Sequence, residues 1–186
     1  MRKLLTWTAG LMTIPTLALG SYLAILQIDG NFHEVLPGQL YRSAQPTSSE
    51  LAQYIKRYGI RTVVNLRGPS ERAWYRDEVA TTQKLSVQHV DFRMRASQQL
   101  TPDESERLIT LLKEAPKPVL IHCKAGADRT GLASVIYLQQ IAGVNEETAE
   151  WQLSPLYGHL PLPFLRTYAM DRTWLQLESM LGIEEI

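Results

Sequence analysis

Two residues of complementary chemistry lie near the middle of the chain. Cys123 and Arg129 are separated by Lys124, Ala125, Gly126, Ala127 and Asp128. An ordinary thiol, with a pKa near ~8.5, is mostly protonated at neutral pH. A helix N-terminus and nearby positive charge can bring it to roughly 3.5–7.5, where it is a nucleophilic thiolate. A guanidinium is planar and grips two oxygens of an anion at once. His122 precedes the cysteine, and Thr130 and Gly131 follow the arginine. Upstream, Val119, Leu120 and Ile121 form a short apolar run with the pattern of a buried strand. Downstream, residues 132–142 read as a mostly apolar helix. A strand, a tight loop of small residues and a helix in succession aim backbone N–H groups and the positive end of a helix dipole into one concavity. Such a nest suits a phosphate or another tetrahedral oxyanion. A buried structural cysteine in a strand-to-helix turn is the plainer alternative, but it leaves Gly126, Arg129 and Thr130 together unexplained.

The order His122-Cys123, five residues, Arg129-Thr130-Gly131 resembles the signature of the cysteine-dependent protein tyrosine and dual-specificity phosphatases. The resemblance implies in-line attack by the Cys123 thiolate on a phosphoryl group, a cysteinyl-phosphate intermediate and its hydrolysis by water. Arg129 and the amides of Lys124, Ala125, Gly126, Ala127, Asp128 and Arg129 are then expected to hold the equatorial oxygens. Thr130 stands where the family uses a hydroxyl to stabilise the departing thiolate. His122 stands where its histidine positions the loop and tunes the cysteine. The stretch Tyr-Arg-Ser-x-Gln-Pro at 41–46 and Gly-Ile-Arg-Thr-Val-Val-Asn-Leu-Arg at 59–67 looks like the N-terminal half of compact bacterial and plant–fungal members. Arg42 and Arg67 are candidate substrate-side cations, with salt bridges at strand ends as the alternative.

The elements that must position this site follow from local signals. Leu40-Tyr41-Arg42 reads as a short edge strand. Thr47 and Glu50 form a capping box opening a helix, with Leu51, Tyr54, Ile55 and Tyr58 on one face and a stop at Gly59. Residues 60–66 read as a β-branched strand. Residues 71–84 read as a helix with Trp74, Tyr75 and Val79 as its apolar contacts, and residues 87–92 as an alternating strand. Thr101, Pro102 and Glu104 start a helix running to about Glu114. Asn145 begins another that includes Trp151, and an amphipathic helix closes the chain from about Phe164 to Leu181. Alternating helices and strands, with the nest at a strand's C-terminal end, predict an α/β fold with a central, largely parallel sheet flanked by helices. The family resemblance implies the same dual-specificity phosphatase-like fold.

The 186 residues carry 19 basic and 19 acidic side chains, a net charge of zero. That balance argues against a nucleic-acid binder relying on bulk charge. One cysteine excludes an intramolecular disulfide and a multi-cysteine zinc cluster, and neither metal nor cofactor is expected. From Leu4 to Ile28 no residue is charged, and Arg2 and Lys3 precede the run. At ~1.5 Å per residue it is long enough to span a ~30 Å hydrocarbon core. It reads as an N-terminal membrane-spanning anchor over residues 1–30, ahead of a phosphatase domain over 31–186. A signal peptide cleaved after Ala18-Leu19-Gly20 is the competing reading, and a buried core helix, which needs a larger protein around it, is the third. The positive-inside rule then places the catalytic part outside the cytoplasm, in the periplasm of a Gram-negative cell.

A leaving oxygen needs a general acid. Two aspartates compete: Asp128 inside the loop, which matches the Gly-x-Asp-Arg-Thr-Gly pattern of some bacterial members, and Asp91, at the end of the strand before the 93–100 loop, with Asp103 behind it. Asp128 is the preferred candidate. An N-terminal helix cap is its alternative role, and pairing with a local arginine is that of Asp91. The expected partner is a phosphorylated substrate. Phosphotyrosine on protein is the family's default. Lys124 lies where phosphatases of inositol and phosphoinositide substrates often carry a lysine and, with Arg129, favours polyanionic substrates, or else is a solvent-facing charge. An anchor near lipid head groups makes a phospholipid the further expectation. A non-catalytic phospho-binding module and a rhodanese-like sulfurtransferase are the remaining classes, and phosphate release separates both from a phosphatase.

Overall fold

Side chains alternating along short strands build the centre of the molecule, which a computed structural model describes over residues 17–181. After a first helix, α1 (17–28), come β1 (His33–Leu36), β2 (Leu40–Ser43), α2 (Ser48–Tyr58), β3 (Thr62–Asn65), α3 (Ala73–Lys84), β4 (Gln88–Asp91), α4 (Pro102–Glu114), β5 (Val119–His122), α5 (Asp128–Ile136), α6 (Glu146–Glu150) and α7 (Ala169–Leu181). The strands lie in the order β1-β2-β5-β3-β4. The three ladders among β2, β5, β3 and β4 are parallel, and β1 joins β2 antiparallel. The sheet is therefore mixed, with a parallel majority.

Because β1 covers its outer side, β2 is an interior strand, not the edge that its sequence suggested; all four of its residues are buried. Along the parallel strands, Leu40, Val64, Val119 and Ile121 face α4, α5 and α7 through Leu108, Leu112, Leu132, Ile136, Met170 and Trp174. The alternate residues Tyr41, Val63 and Leu120 face the other way, onto Leu51 and Ile55 of α2. Strand periodicity of two thus fills both layers. Both capping boxes form, Thr47 with Glu50 and Thr101 with Glu104, and Gly59 ends α2 in the left-handed conformation.

Three expectations change. Helix α3 buries Glu78 and Thr82, whereas Trp74, Tyr75 and Val79 are half-buried; this face reaches the functional edge of the sheet, where polar partners wait. The C-terminal helix is shorter than expected, with a 3-10 turn at Arg166–Tyr168 before α7. The membrane anchor is also corrected. Among the described residues no helix is long and apolar enough to cross a membrane. Residues 4–16 of the charge-free run lie outside the described residues. Residues 17–28 form a helix of about 18 Å that packs on the fold along one side, while Leu17, Leu19, Ile25 and Ile28 stay exposed. Leu26 is buried, Leu23 and Leu26 approach Gly158, and the Tyr22 hydroxyl donates to the Leu156 carbonyl at 2.5 Å. The extracytoplasmic placement rested on that anchor and falls with it.

The ladders set Ser43, His122, Asn65 and Asp91 in one row at the C-terminal ends of the parallel strands. Ligands of open α/β sheets bind outside such an edge.

Candidate active site

Cys123 follows β5 directly, and Arg129 lies in the first turn of α5. The chain between them turns at Gly126, at φ +69°. A Cβ there would stand 2.6 Å from the Ala44 nitrogen and 2.7 Å from the Ser43 carbonyl carbon, so the loop lies against β2 at a distance only glycine permits. Its carbonyls are bound from outside. The Gln45 N–H donates to Lys124 O at 3.2 Å. Asn31 Nδ2 and Gln27 Nε2 donate to Ala125 O at 2.9 and 3.1 Å. Arg42 donates to Gly126 O at 2.7 Å and to Ala127 O at 3.5 Å. A peptide whose carbonyl is held outward turns its N–H inward. Successive N–H groups therefore face the space between Cys123 and Arg129, together with the N-terminus of α5.

Arg42 is fully buried behind the loop, not on the substrate side. Its other nitrogen donates to Gln152 O at 2.7 Å and Gln152 Oε1 at 2.8 Å, and its guanidinium lies 4.0 Å from the Tyr157 ring centroid. Burial pulls its pKa down to about 10, against the opposing influence of Tyr157 and Cys123, which leaves it a cation at neutral pH. The Arg67 guanidinium occupies the rim. It stacks 3.6 Å over Trp74 and donates to Gln45 Oε1 at 2.7 Å. Burial, then the charge of Arg129, lowers its pKa, while the Cys123 charge opposes this. Arg67 and Arg129 therefore share one electrostatic field.

Cys123 and His122 are buried. His122 Nε2 meets Glu78 Oε1 at 3.1 Å, and His89 Nε2 meets the same oxygen at 2.7 Å. Gln45 Nε2 donates to Glu78 Oε2 at 2.5 Å. Burial would raise the Glu78 carboxyl, but the hydrogen bonds from His122, His89 and Gln45 outweigh it and hold it at about 2. A carboxylate facing it requires a proton on His122 Nε2, which fixes that ring directly before the cysteine. The Thr130 hydroxyl is buried and makes no hydrogen bond among the described residues. Gly131 packs on α5's neighbour, where a Cβ would meet Leu153 Cδ1 at 2.8 Å and Gln152 O at 2.9 Å. The Lys124 side chain is exposed.

The aspartates differ sharply. Asp91 ends β4, with Oδ1 accepting from Asn65 Nδ2 at 2.7 Å and Oδ2 accepting from the Tyr75 hydroxyl at 2.5 Å. Both of its oxygens are engaged, two strands away from His122. Asp128 begins α5 but makes no capping bond. Its Oδ1 instead meets His159 Nδ1 at 2.8 Å.

The comparisons with known proteins fit this geometry. A family model described as the tyrosine phosphatase family matches residues 25–158. The chain belongs to this family. The dual specificity protein phosphatase TpbA of Pseudomonas aeruginosa is 31% identical over 123 residues, 64% of this chain and 51% of its own length. The chain thus spans about half the length of the curated relatives it matches. The crystal structure of P. aeruginosa TpbA is similar with a TM-score of 0.58 at 25% identity, over 80% of this chain and 91% of that one. PTPMT1 in complex with PI(5)P shares the fold at 14% identity, with a TM-score of 0.57 over 81% of this chain and 98% of that one.

In this member of the tyrosine phosphatase family, sequence reasoning missed Gln27, Asn31, Glu78, Gln152, His159 and Asp171 around the loop. Gln27, Asn31 and Gln152 are uncharged amides, His159 and Asp171 pair with one another, and none of the five carries a spacing signal. Glu78 had one: a carboxylate at the buried position of an amphipathic helix is costly unless it is paired.

Proposed function

We propose that the chain hydrolyses phosphate monoesters through a cysteinyl-phosphate intermediate, as a protein tyrosine or dual-specificity phosphatase. The observation that carries this reading is the run of three loop carbonyls tied outward, at Lys124, Ala125 and Gly126, ahead of the Ala127 carbonyl that opens the α5 ladder. It supports a cradle of inward N–H groups around a phosphoryl group set between Cys123 and Arg129. The Cys123 sulfur attacks phosphorus in line as the bond to the leaving oxygen breaks, and Asp128 gives that oxygen its proton. Water then attacks phosphorus, the S–P bond breaks, and Asp128 takes up the water's proton. Inward N–H groups and Arg129 stabilise the equatorial oxygens throughout.

The family and the TpbA relationship support phosphotyrosine or phosphoserine/threonine on protein as substrate. A crystal structure of TpbA in complex with pTyr points the same way. Exposed Lys124 and the rim guanidinium of Arg67 favour, as a second reading, substrates with additional phosphates such as phosphoinositides. Phosphate release from a phosphotyrosine peptide and from phosphatidylinositol phosphate vesicles, measured with the parent and Cys123→Ser, tests both. Release from the peptide by the parent alone is expected. Release only from the vesicles selects the second reading. No release from either, with retained phosphate binding, leaves a binding module.

A further inference from the structure

His159 has no exposed surface and lies just beyond the family match, which ends at residue 158. Both of its ring nitrogens face carboxylates. Nδ1 is 2.8 Å from Asp128 Oδ1, and Nε2 is 3.0 and 3.1 Å from the two oxygens of Asp171 on α7. A neutral imidazole would turn a lone pair toward one of these anions, so this arrangement demands an imidazolium with both N–H groups donating. Burial works against the charge, but the hydrogen bonds and charges of Asp128 and Asp171 outweigh it and push the His159 pKa up to about 9. The ring is fixed from its own chain as well, because the His159 N–H donates to Ser154 O at 3.1 Å.

We infer that His159, braced by Asp171, is a positioning residue for Asp128: it holds Oδ1 and thereby directs Oδ2 toward the leaving-group oxygen. This rests on the reading of Asp128 as the general acid. Oδ2 makes no hydrogen bond among the described residues, and the Asp128 side chain keeps 23% of its surface exposed. As a proton moves from Oδ2 to the leaving oxygen, the carboxylate left behind is already paired with a fixed cation. In the second half-reaction the same pairing holds the carboxylate in place to accept the proton of the attacking water. Asp171 prevents the ring from turning away and neutralises its charge when Asp128 is protonated. The clamp joins three elements, α5, the 158–163 segment and α7, so it sets the acid independently of the donors that hold the loop carbonyls.

The test compares kcat for dinitrophenyl phosphate, whose leaving oxygen needs little protonation, with kcat for phenyl phosphate, whose oxygen needs it. It uses the full chain, Asp128→Asn, His159→Gln, Asp171→Asn and the double variant Asp128→Asn/His159→Gln. Asp128→Asn is expected to lose about 10²-fold or more on phenyl phosphate and far less on the dinitrophenyl ester. His159→Gln is expected to show the same asymmetry, at about tenfold to 10²-fold. The double variant is expected to lose no more selectivity than Asp128→Asn alone. Equal losses by His159→Gln on both esters, or a further selective loss in the double variant, overturn the inference. If Asp128→Asn itself shows no asymmetry, the acid assignment has failed first. Should His159→Gln not fold, Asp171→Asn takes its place: selective loss supports the clamp and uniform loss refutes it.

Discussion

Replacing Arg42 separates what holds the loop from what holds the fold. In Arg42→Met the stem keeps much of its volume, but Gln152 O and Gly126 O each lose a donor at 2.7 Å. A buried acceptor left unpaired costs about 1–3 kcal/mol, so the two carbonyls together cost roughly 2–6 kcal/mol. Against this, no carboxylate among the described residues pairs with the guanidinium, and burial has drawn its pKa from 12.5 to about 10. That shift corresponds to a desolvation cost of about 3 kcal/mol, which the variant recovers. The net change in stability is therefore small, between a gain of about 1 and a loss of about 3 kcal/mol. The loss at the site is larger in proportion. The freed peptide at Gly126 can turn its carbonyl toward the anion in place of an N–H, while the Ala127 carbonyl stays held by the Gly131 N–H at 2.7 Å. The charge-assisted bond forfeited is worth about 1.5–3 kcal/mol, roughly 10- to 150-fold in affinity. Guanidinium-chloride unfolding measures the first quantity. Competitive inhibition by inorganic phosphate, with kcat/KM on an aryl phosphate, measures the second. Arg42→Lys, a point charge unable to span Gln152 and Gly126, should fall between Met and the parent in phosphate affinity. Phosphate affinity unchanged in Arg42→Met, whatever happens to its stability, would refute the argument that the outward carbonyls shape the cradle.

Two further predictions concern the supports of the loop. His159 has a folded pKa of about 9 against 6.5 unfolded, so its contribution is complete below pH ~6.5 and is lost as pH rises through 9; at most about 3 kcal/mol is involved. Glu78, held at about 2 against 4.5, contributes fully above pH ~4.5 and loses that contribution as pH falls toward 2. Urea unfolding across pH should show both limbs, and an alkaline limb of the same size in His159→Gln would sink the assignment. A fragment beginning at residue 31 lacks the Gln27 bond to Ala125 O and the burial of Leu26. Compared with one beginning at residue 17, it should be less stable by about 2–4 kcal/mol and bind phosphate several-fold more weakly. Equal phosphate affinities of the two folded fragments would show that α1 does not support the loop.

What the sequence made legible was local. Thr47, Glu50, Gly59, Thr101 and Glu104 signal helix ends through bonds made within a few residues, and the 119–131 strand, loop and helix announce themselves through composition and spacing. What stayed hidden was long-range and aimed at the backbone. Arg42 reads as a substrate-side cation or a strand-end salt-bridge partner because charged residues seldom lose all exposure, yet it has none, since its partners are carbonyls and an amide 84 and 110 positions away. Carbonyl acceptors are the same at every residue and leave no trace in composition. The charge-free N-terminal run misled for a related reason. Hydropathy counts apolar side chains without saying what will cover them; from residue 17 the 156–158 turn receives Tyr22, Leu23 and Leu26, while Leu17, Leu19, Ile25 and Ile28 stay exposed.

The seven residues from Cys123 to Arg129 therefore do not determine their own conformation. Small side chains at Ala125, Gly126 and Ala127 widen the backbone states open to the loop, including states that would present a carbonyl to an anion. Selection among those states falls to donors from four other segments: α1 through Gln27, the following turn through Asn31, β2 through Arg42, and the stretch after it through the Gln45 N–H. Gln45 carries the coupling further, because its side chain links Glu78, behind His122, to Arg67 at the rim. A change at any of these positions should reach the anion through backbone orientation and not through a direct contact. Its signature is a fall in phosphate affinity that exceeds what the accompanying loss of stability predicts.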